Sequence, residues 1–323
     1  MRNMKKIYLS IVSILFLIVV IGSVTFAAVR LATINNIDGL TLNASAGDEL
    51  QLSIDGINFF TNLSKDQIDR SVEGIKLNDV TSSDGINFRT GGLRGDGVAT
   101  PNEHYLSFDL WVRTTRNERD LFLVNHISDQ VRFNDNRQLG TYIVSKGVAW
   151  RNSISFFNGP NIEDFVQAGT IQTYHARNAL RLSIVELVDD KNEEDLRNQE
   201  DLRSFILDPS GNPERGYGAL FGAYSYFFQK TLIFQNVPTE IPKVSYRLSE
   251  MDPFNPYQAL DNESLVATLI ETNEVDEDGK TYYQAKIRVN LWVEGWDADA
   301  FDSIDKDLIQ IQLQFKLARR FEE

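Results

Sequence analysis

A chain of 323 residues without a cysteine excludes disulfides, thiolate metal sites and cysteine nucleophiles at once, so stability must come from its core. With 46 acidic against 32 basic residues it carries a formal charge of −14, which repels nucleic acid and anionic lipid headgroups and suits solubility, cation binding or basic partners. A hydrophobic content of 42% suffices for one large domain or two small ones.

The chain opens with Arg2, Lys5 and Lys6 and then runs from Ile7 to Ala28 without a charged side chain. A basic head followed by an apolar helix is an export signal, and it assigns everything after it to the outside of the cytoplasm. Two outcomes stay open. Thr25 and Ala27 put small residues where a signal peptidase would cut after Ala27, releasing a chain three charges more negative. Left uncut, the run is long enough to cross a hydrocarbon core of about 30 Å at about 1.5 Å per residue, tethering the protein to the membrane. Residues 1–28 are therefore read as signal peptide or signal anchor, and 29–323 as an extracytoplasmic domain. An exported chain free of disulfides fits a bacterial source.

Beyond the leader, period-two alternation dominates. Weak strand signals at residues 40–44 and 49–54 precede a short turn expected to start at Ser64, where Gln67 completes a capping box. Residues 105–113 form a clear strand: Leu106, Phe108, Leu110 and Val112 point one way, and Tyr105, Ser107, Asp109, Trp111 and Arg113 the other. Further strands are expected at 121–126, 179–188, 231–234 and 265–271. Leu196, Leu202 and Phe205 stand near helical spacing before Pro209, which predicts a helix over 193–207. Two long strands close the chain, at 280–294 with Ala285, Ile287, Val289, Leu291 and Val293 on one face, and at 308–317 with Ile309, Ile311, Leu313, Phe315 and Leu317. These two are expected to pair as antiparallel neighbours. The expected fold is mainly β, an antiparallel β-sandwich of jelly-roll type, with an N-terminal export helix and a minor helical insertion at about 189–228.

Two sequence features stand apart from the strands. The pentapeptide Asp-Gly-Ile-Asn-Phe occurs at Asp55–Phe59 and again at Asp84–Phe88, and Asp-Gly marks similar hairpin corners or a chance match. Residues 209–226, with Tyr217, Phe221, Tyr224 and Tyr226 among glycines, form either a buried loop or a partner surface.

Chemistry-bearing patterns are few. His104, His126 and His175 do not share the spacing of a metal-binding helix, and the chain holds neither a Gly-X-Ser-X-Gly elbow nor a phosphate-binding Gly-X-X-X-X-Gly-Lys loop. Asp297, Asp299 and Asp302 follow one another closely, with Asp305 and Asp307 nearby, which makes them candidate Ca²⁺ ligands or else a solvated turn. No cofactor is required. Trp111, Trp292 and Trp296 are candidate stacking platforms for a glycan or partner, which would suit a carbohydrate-binding module or glycan-acting jelly-roll enzyme.

Several segments carry a family resemblance: Val24-Thr25-Phe26-Ala27, the strands at 105–112 and 179–184, and the ending at 287–299 followed by 311–315. In these the chain resembles exported β-rich proteins of low-GC Gram-positive bacteria and, more loosely, the TasA and camelysin type of biofilm-matrix protein. The resemblance implies a non-enzymatic surface or matrix protein whose partners are its own copies or other surface components, or the membrane where the leader is uncut. It also implies fibre assembly by donation of an N-terminal strand, for which the alternation of Leu40, Leu42 and Ala44 is suitable.

Overall fold

The structure, a computed structural model, describes residues 12–14, 36–44, 50–63, 68, 77–92, 97–124, 131–135, 140–239 and 242–322. Apart from residues 12–14, the segment expected to direct export, with the cleavage position expected at Ala27, lies outside the described residues, as do His126 and the Ser64–Gln67 box. No helix among the described residues is long and apolar enough to cross a membrane.

The chain is mainly β. Its first strands are β1 (Asn36–Ala44), β2 (Gln51–Ser53), β3 (Asn62–Leu63), β4 (Asp79–Thr81), β5 (Arg89–Thr90) and β6 (Gly97–Val98). Then come β7 (Leu106–Thr114), β8 (Asp120–Leu123), β9 (Tyr142–Ser145), β10 (Val148–Arg151), β11 (Phe156–Phe157), β12 (Phe165–Val166) and β13 (Ile171–Tyr174). Strands β14 (Leu180–Leu187) and β15 (Ser204–Leu207) precede the helix α1 (Ala223–Thr231). The chain ends in β16 (Leu265–Thr268), β17 (Ile270–Val275), β18 (Thr281–Glu294) and β19 (Leu308–Ala318).

Two sheets carry most of these strands. The six-stranded sheet runs β16-β8-β19-β1-β3, with β9 also on β19; the nine-stranded sheet runs β15-β14-β18-β4-β5-β6, with β7 and β17 on β18 and β2 on β7. The two long C-terminal strands are therefore not neighbours, contrary to expectation: β18 organises one sheet and β19 the other. Each of them has found other edges to pair with, β18 between β14 and β7 and β19 beside β1, β8 and β9. Pairing is antiparallel except for β1 with β19 and β4 with β18, which run parallel.

Alternation explains which face each strand buries. Leu106, Leu110, Val112, Leu182, Ile184, Ile287, Val289 and Leu291 of the large sheet share one hydrophobic cluster with Leu40, Leu42, Leu121, Ile309, Ile311, Leu313 and Phe315 of the small one. The opposite faces differ from expectation, because they are partly covered too. On β19, Gln312, Gln314 and Lys316 are buried, with the Gln312 amide donating to Gly140 O at 2.9 Å and the Lys316 ammonium over the Tyr257 ring.

The repeated pentapeptide supplies part of that cover on the large sheet. Each copy turns a hairpin: Leu52 and Phe60 exchange main-chain hydrogen bonds around the first, and β4 pairs β5 around the second. In both, one carboxylate oxygen accepts from two successive main-chain N–H groups, Asp55 from Ile57 and Asn58 and Asp84 from Ile86 and Asn87. The other oxygen accepts from the Asn58 or Asn87 amide. A serine two residues before each aspartate, Ser53 or Ser82, accepts from the glycine N–H, so the repeating unit is Ser-X-Asp-Gly-Ile-Asn-Phe. The hydrogen bonds from Asn58 and Ile57 hold the Asp55 carboxyl below its ordinary range. Burial pushes Asp84 up, but the same set of donors outweighs it and keeps that carboxyl low as well.

The helix expected over 193–207 does not form. Asp189, Asn192 and Asp195 each turn a side-chain oxygen onto the N–H two residues ahead, and main-chain bonds from Asn192 to Asp189 and from Asp195 to Asn192 close successive turns. Such Asx turns offer the backbone an alternative to the helix ladder. Only a 3₁₀ turn at Gln199–Asp201 and the strand β15 result. The α-helix lies later, in α1, so the strand expected at 231–234 is replaced by the helix end and an exposed segment.

The corner glycines give a direct test. Gly85 has φ +72°, and a methyl group there would lie 2.7 Å from Ser183 Cβ, whereas Gly279 has φ +77° and open space around it. Gly279→Ala should therefore cost only backbone strain, about 1–2 kcal/mol, while Gly85→Ala adds overpacking of roughly 1–3 kcal/mol. Denaturant midpoints check this, and equal losses would contradict the packing assigned to the corner.

Candidate functional site

The loop after β18 carries the three candidate Ca²⁺ ligands, and the structure gives each a different cation. Arg181, an outward position on β14, reaches Asp297 Oδ2 at 2.6 Å and lies 2.9 Å from Asp208 Oδ2. Arg215 clamps Asp299 through two nitrogens, at 2.6 and 3.0 Å. Lys230 of α1 meets Asp302 Oδ2 at 2.7 Å, where the Tyr226 hydroxyl also donates at 3.1 Å. Among the described residues no group of three or more His, Asp or Glu side chains is arranged to hold a metal ion. Asp208, Arg215 and Lys230 belong to segments with no sequence periodicity linking them to the aspartates. Arg181 alone left a signal, as a charge inside the apolar alternation Ala-Leu-Arg-Leu-Ser-Ile.

The Arg181 centre is sealed: Arg181, Asp208, Asp297 and Glu294 are all at most 2% exposed. One guanidinium faces three carboxyl groups in a low-dielectric interior, where charge without compensation is costly. Burial pushes Asp297 up to about 8 despite the opposing pull of Arg181, and nearby Asp299 and Asp208 add to the rise. Burial likewise raises Asp208 and Glu294 against the pull of Arg181, and for Glu294 also against the Trp292 indole hydrogen bond. Asp208 Oδ2 sits close to the guanidinium yet has no hydrogen bond of good geometry, so its charge is only partly compensated.

The three tryptophans singled out by sequence do not form one platform. Trp111 is 7% exposed, donates from its indole to Asp189 at 3.0 Å and is flanked by the Lys191 and Lys286 ammonium groups. Trp292 is fully buried against Phe88, with its indole on Glu294. Both occupy outward strand positions; Trp292 is sealed from solvent, whereas Trp111 borders the larger cleft on that face. Trp296 is half-buried and lines a groove of about 530 Å³. The aromatic segment 209–226 divides similarly: Tyr226 packs with Trp150, Phe156 and Phe301, whereas Tyr217 lines the same groove as Trp296.

A larger cleft of about 1060 Å³ lies on the outer face of the nine-stranded sheet. Its floor holds cross-strand rows. Ser183, Asn290 and Ser107 align across β14, β18 and β7 and are joined by hydrogen bonds of 3.0 and 2.7 Å. In the next row Arg288 forks onto Asp109 at 2.7 and 3.1 Å beside Val185. The second corner closes one end, where Gly85 O accepts from Ser183 and Asn290, and its Ile86 lines the cleft with Ile54 beside the first. The histidines stand apart: His104 Nδ1 accepts from Thr100 N, and His175 Nδ1 lies 3.4 Å from Ser145 Oγ. No family model, curated protein or solved structure matches the chain.

The buried carboxyls predict a pH dependence whose sign is fixed. Asp297 is raised from 3.8 to about 8 in the fold, so between those values the native chain holds a proton that unfolding releases. Stability from this group therefore falls as pH rises through that window. Melting temperature should decline between about pH 4 and pH 8, and Asp297→Asn should flatten that slope. A rising slope, or one untouched by Asp297→Asn, would contradict the buried-proton account.

Proposed function

We propose that this chain is a non-enzymatic, extracytoplasmic protein of a bacterial cell surface or matrix, built as a jelly-roll-type β-sandwich, and that it self-associates by lending β1 to a neighbouring copy. The observation that supports this most is the way β1 is held. Its main-chain partner is β19, over the register Asn36↔Leu308 to Ala44↔Phe315, while β3 meets its other edge only at Leu42 and Asn43. A strand held by one long ladder can be exchanged for the same strand from another copy, and its departure leaves the β19 edge open to receive one. The basic head and apolar run support export, and cleavage after Ala27 would leave β1 near a released terminus. Acidic surface charge supports solubility until assembly.

A cysteine-free chain makes the test clean. Thr41 and Gln312 are Cα partners across β1 and β19, so Thr41→Cys with Gln312→Cys, oxidised in a chain beginning at Ala28, reports whose β1 occupies the edge. Donation predicts a ladder of covalent oligomers on non-reducing gels at raised concentration, with fibres by electron microscopy. Monomers cross-linked only within themselves, and no fibres across varied pH and Ca²⁺, would overturn the proposal.

A further inference from the structure

We propose that the groove beside Trp296 binds neutral oligosaccharide, a ligand role separate from assembly through β1. Its chemistry differs from that of the other described grooves. The large outer cleft includes Asp109 and Glu200, a second groove Asp261 and Glu263, and a third Glu118, Asp120 and Glu322. Among the described residues the Trp296 groove has no carboxylate in its lining, although the chain as a whole carries an acidic excess. In their place stand two aromatic rings, Trp296 and Tyr217, together with Asn87, Arg89, Gln235 and Asn236. Rings accept the C–H face of a pyranose, and planar amides and guanidinium match pairs of neighbouring hydroxyls. The volume of about 530 Å³ falls in the range of small-ligand sites, roughly 300–1,000 Å³.

The aromatic pair is held rather than loose. Gly218 N donates to Trp296 O at 2.8 Å, which ties the residue after Tyr217 to the second ring's own backbone. Trp296 N donates to buried Glu294 Oε1 at 3.2 Å. Beneath them the chain crosses itself so closely that a methyl group on Gly92 would lie 2.1 Å from Gly295 O. Asn87 is fixed in turn by the second Ser-X-Asp-Gly-Ile-Asn-Phe corner, its side-chain amide donating to Asp84 Oδ2 at 2.7 Å. A site preset in this way loses little entropy when a ligand is ordered in it.

Native gel electrophoresis through soluble polysaccharides tests the assignment, using a β-glucan, an α-glucan, a mannan, a xylan and, as the acidic probe, polygalacturonate. At least one neutral polysaccharide should retard the protein. Trp296→Ala should weaken that retardation roughly tenfold. Because Trp296 also packs on the core, the paired change Gln235→Ala with Asn236→Ala supplies a second reading, expected to weaken binding several-fold at unchanged melting temperature. Phe254→Ala, at an aromatic residue 96% exposed elsewhere, should leave it intact. Retardation by no polysaccharide, or by polygalacturonate alone, would overturn the proposal. So would equal retardation of wild type and both groove variants, or loss with Phe254→Ala. Fibre formation is scored separately, so failure of either proposal leaves the other standing.

Discussion

Arg181 is the constraint on which much of this architecture turns. It sits on a strand whose inward residues are Leu180, Leu182 and Ile184, and its own outward position is 2% exposed. A guanidinium stripped of water must find oxygen acceptors, and here they come from separate stretches of chain: Asp208 and Gly216 O from one, Asp297 from the loop after β18. Satisfying one buried cation therefore docks two long connections onto the sheet. Removing the cation would strand three carboxyls in the interior, a more severe defect than losing a surface pair, which is worth about 0–1 kcal/mol. The same docking sets the path of residues 294–302 and with it the place of Trp296.

Because the outer face of the large sheet is partly covered as well, the meaning of alternation shifts. Period two correctly separated Leu106, Phe108, Leu110 and Val112 from Tyr105, Ser107, Asp109 and Trp111, and β14, β18 and β19 were legible to within a residue or two. What alternation cannot convey is what lies over the second face. Trp111 and Trp292 point away from the main core and are still buried, since Phe88 packs on one and two lysines flank the other. Polar residues tolerate such cover when they are bonded across the strands, as the row of Ser183, Asn290 and Ser107 is.

The misread elements have local and non-local causes. At 193–207 the apolar spacing suggested a helix, but Leu196 is 86% exposed and the asparagines and aspartates spaced three apart direct the backbone into turns. That signal was present in the sequence and outweighed by the wrong period. The separation of β18 from β19 was not legible, because which edge a strand joins depends on partners far away in the chain. The repeated pentapeptide lies between these cases: its turn chemistry was readable, while its serine and its role over the sheet became clear only through Ser53, Ser82 and the contacts of Gly85. The cations that meet Asp297, Asp299 and Asp302 were invisible for the same long-range reason.

The parallel contact between β1 and β19 sets the energetics of the exchange proposed above. Within one chain, Leu40 and Leu42 are buried beside Ile311 and Leu313, worth about 1.5–3 kcal/mol for each leucine. A donated β1 makes those same contacts and the same ladder, so the contacts themselves favour neither arrangement. The balance then rests on chain entropy: an intramolecular strand benefits from a high effective concentration, and a neighbour's strand competes only when protein concentration rises or the connection is strained. Donation from one end of the chain to an edge elsewhere on the next copy is a head-to-tail contact, which closes into a ring only if the rotation permits and otherwise propagates as a filament. Assembly by this route is accordingly governed by concentration and by what holds the N-terminus, so a leader left uncut would oppose it by restraining the one strand that has to move.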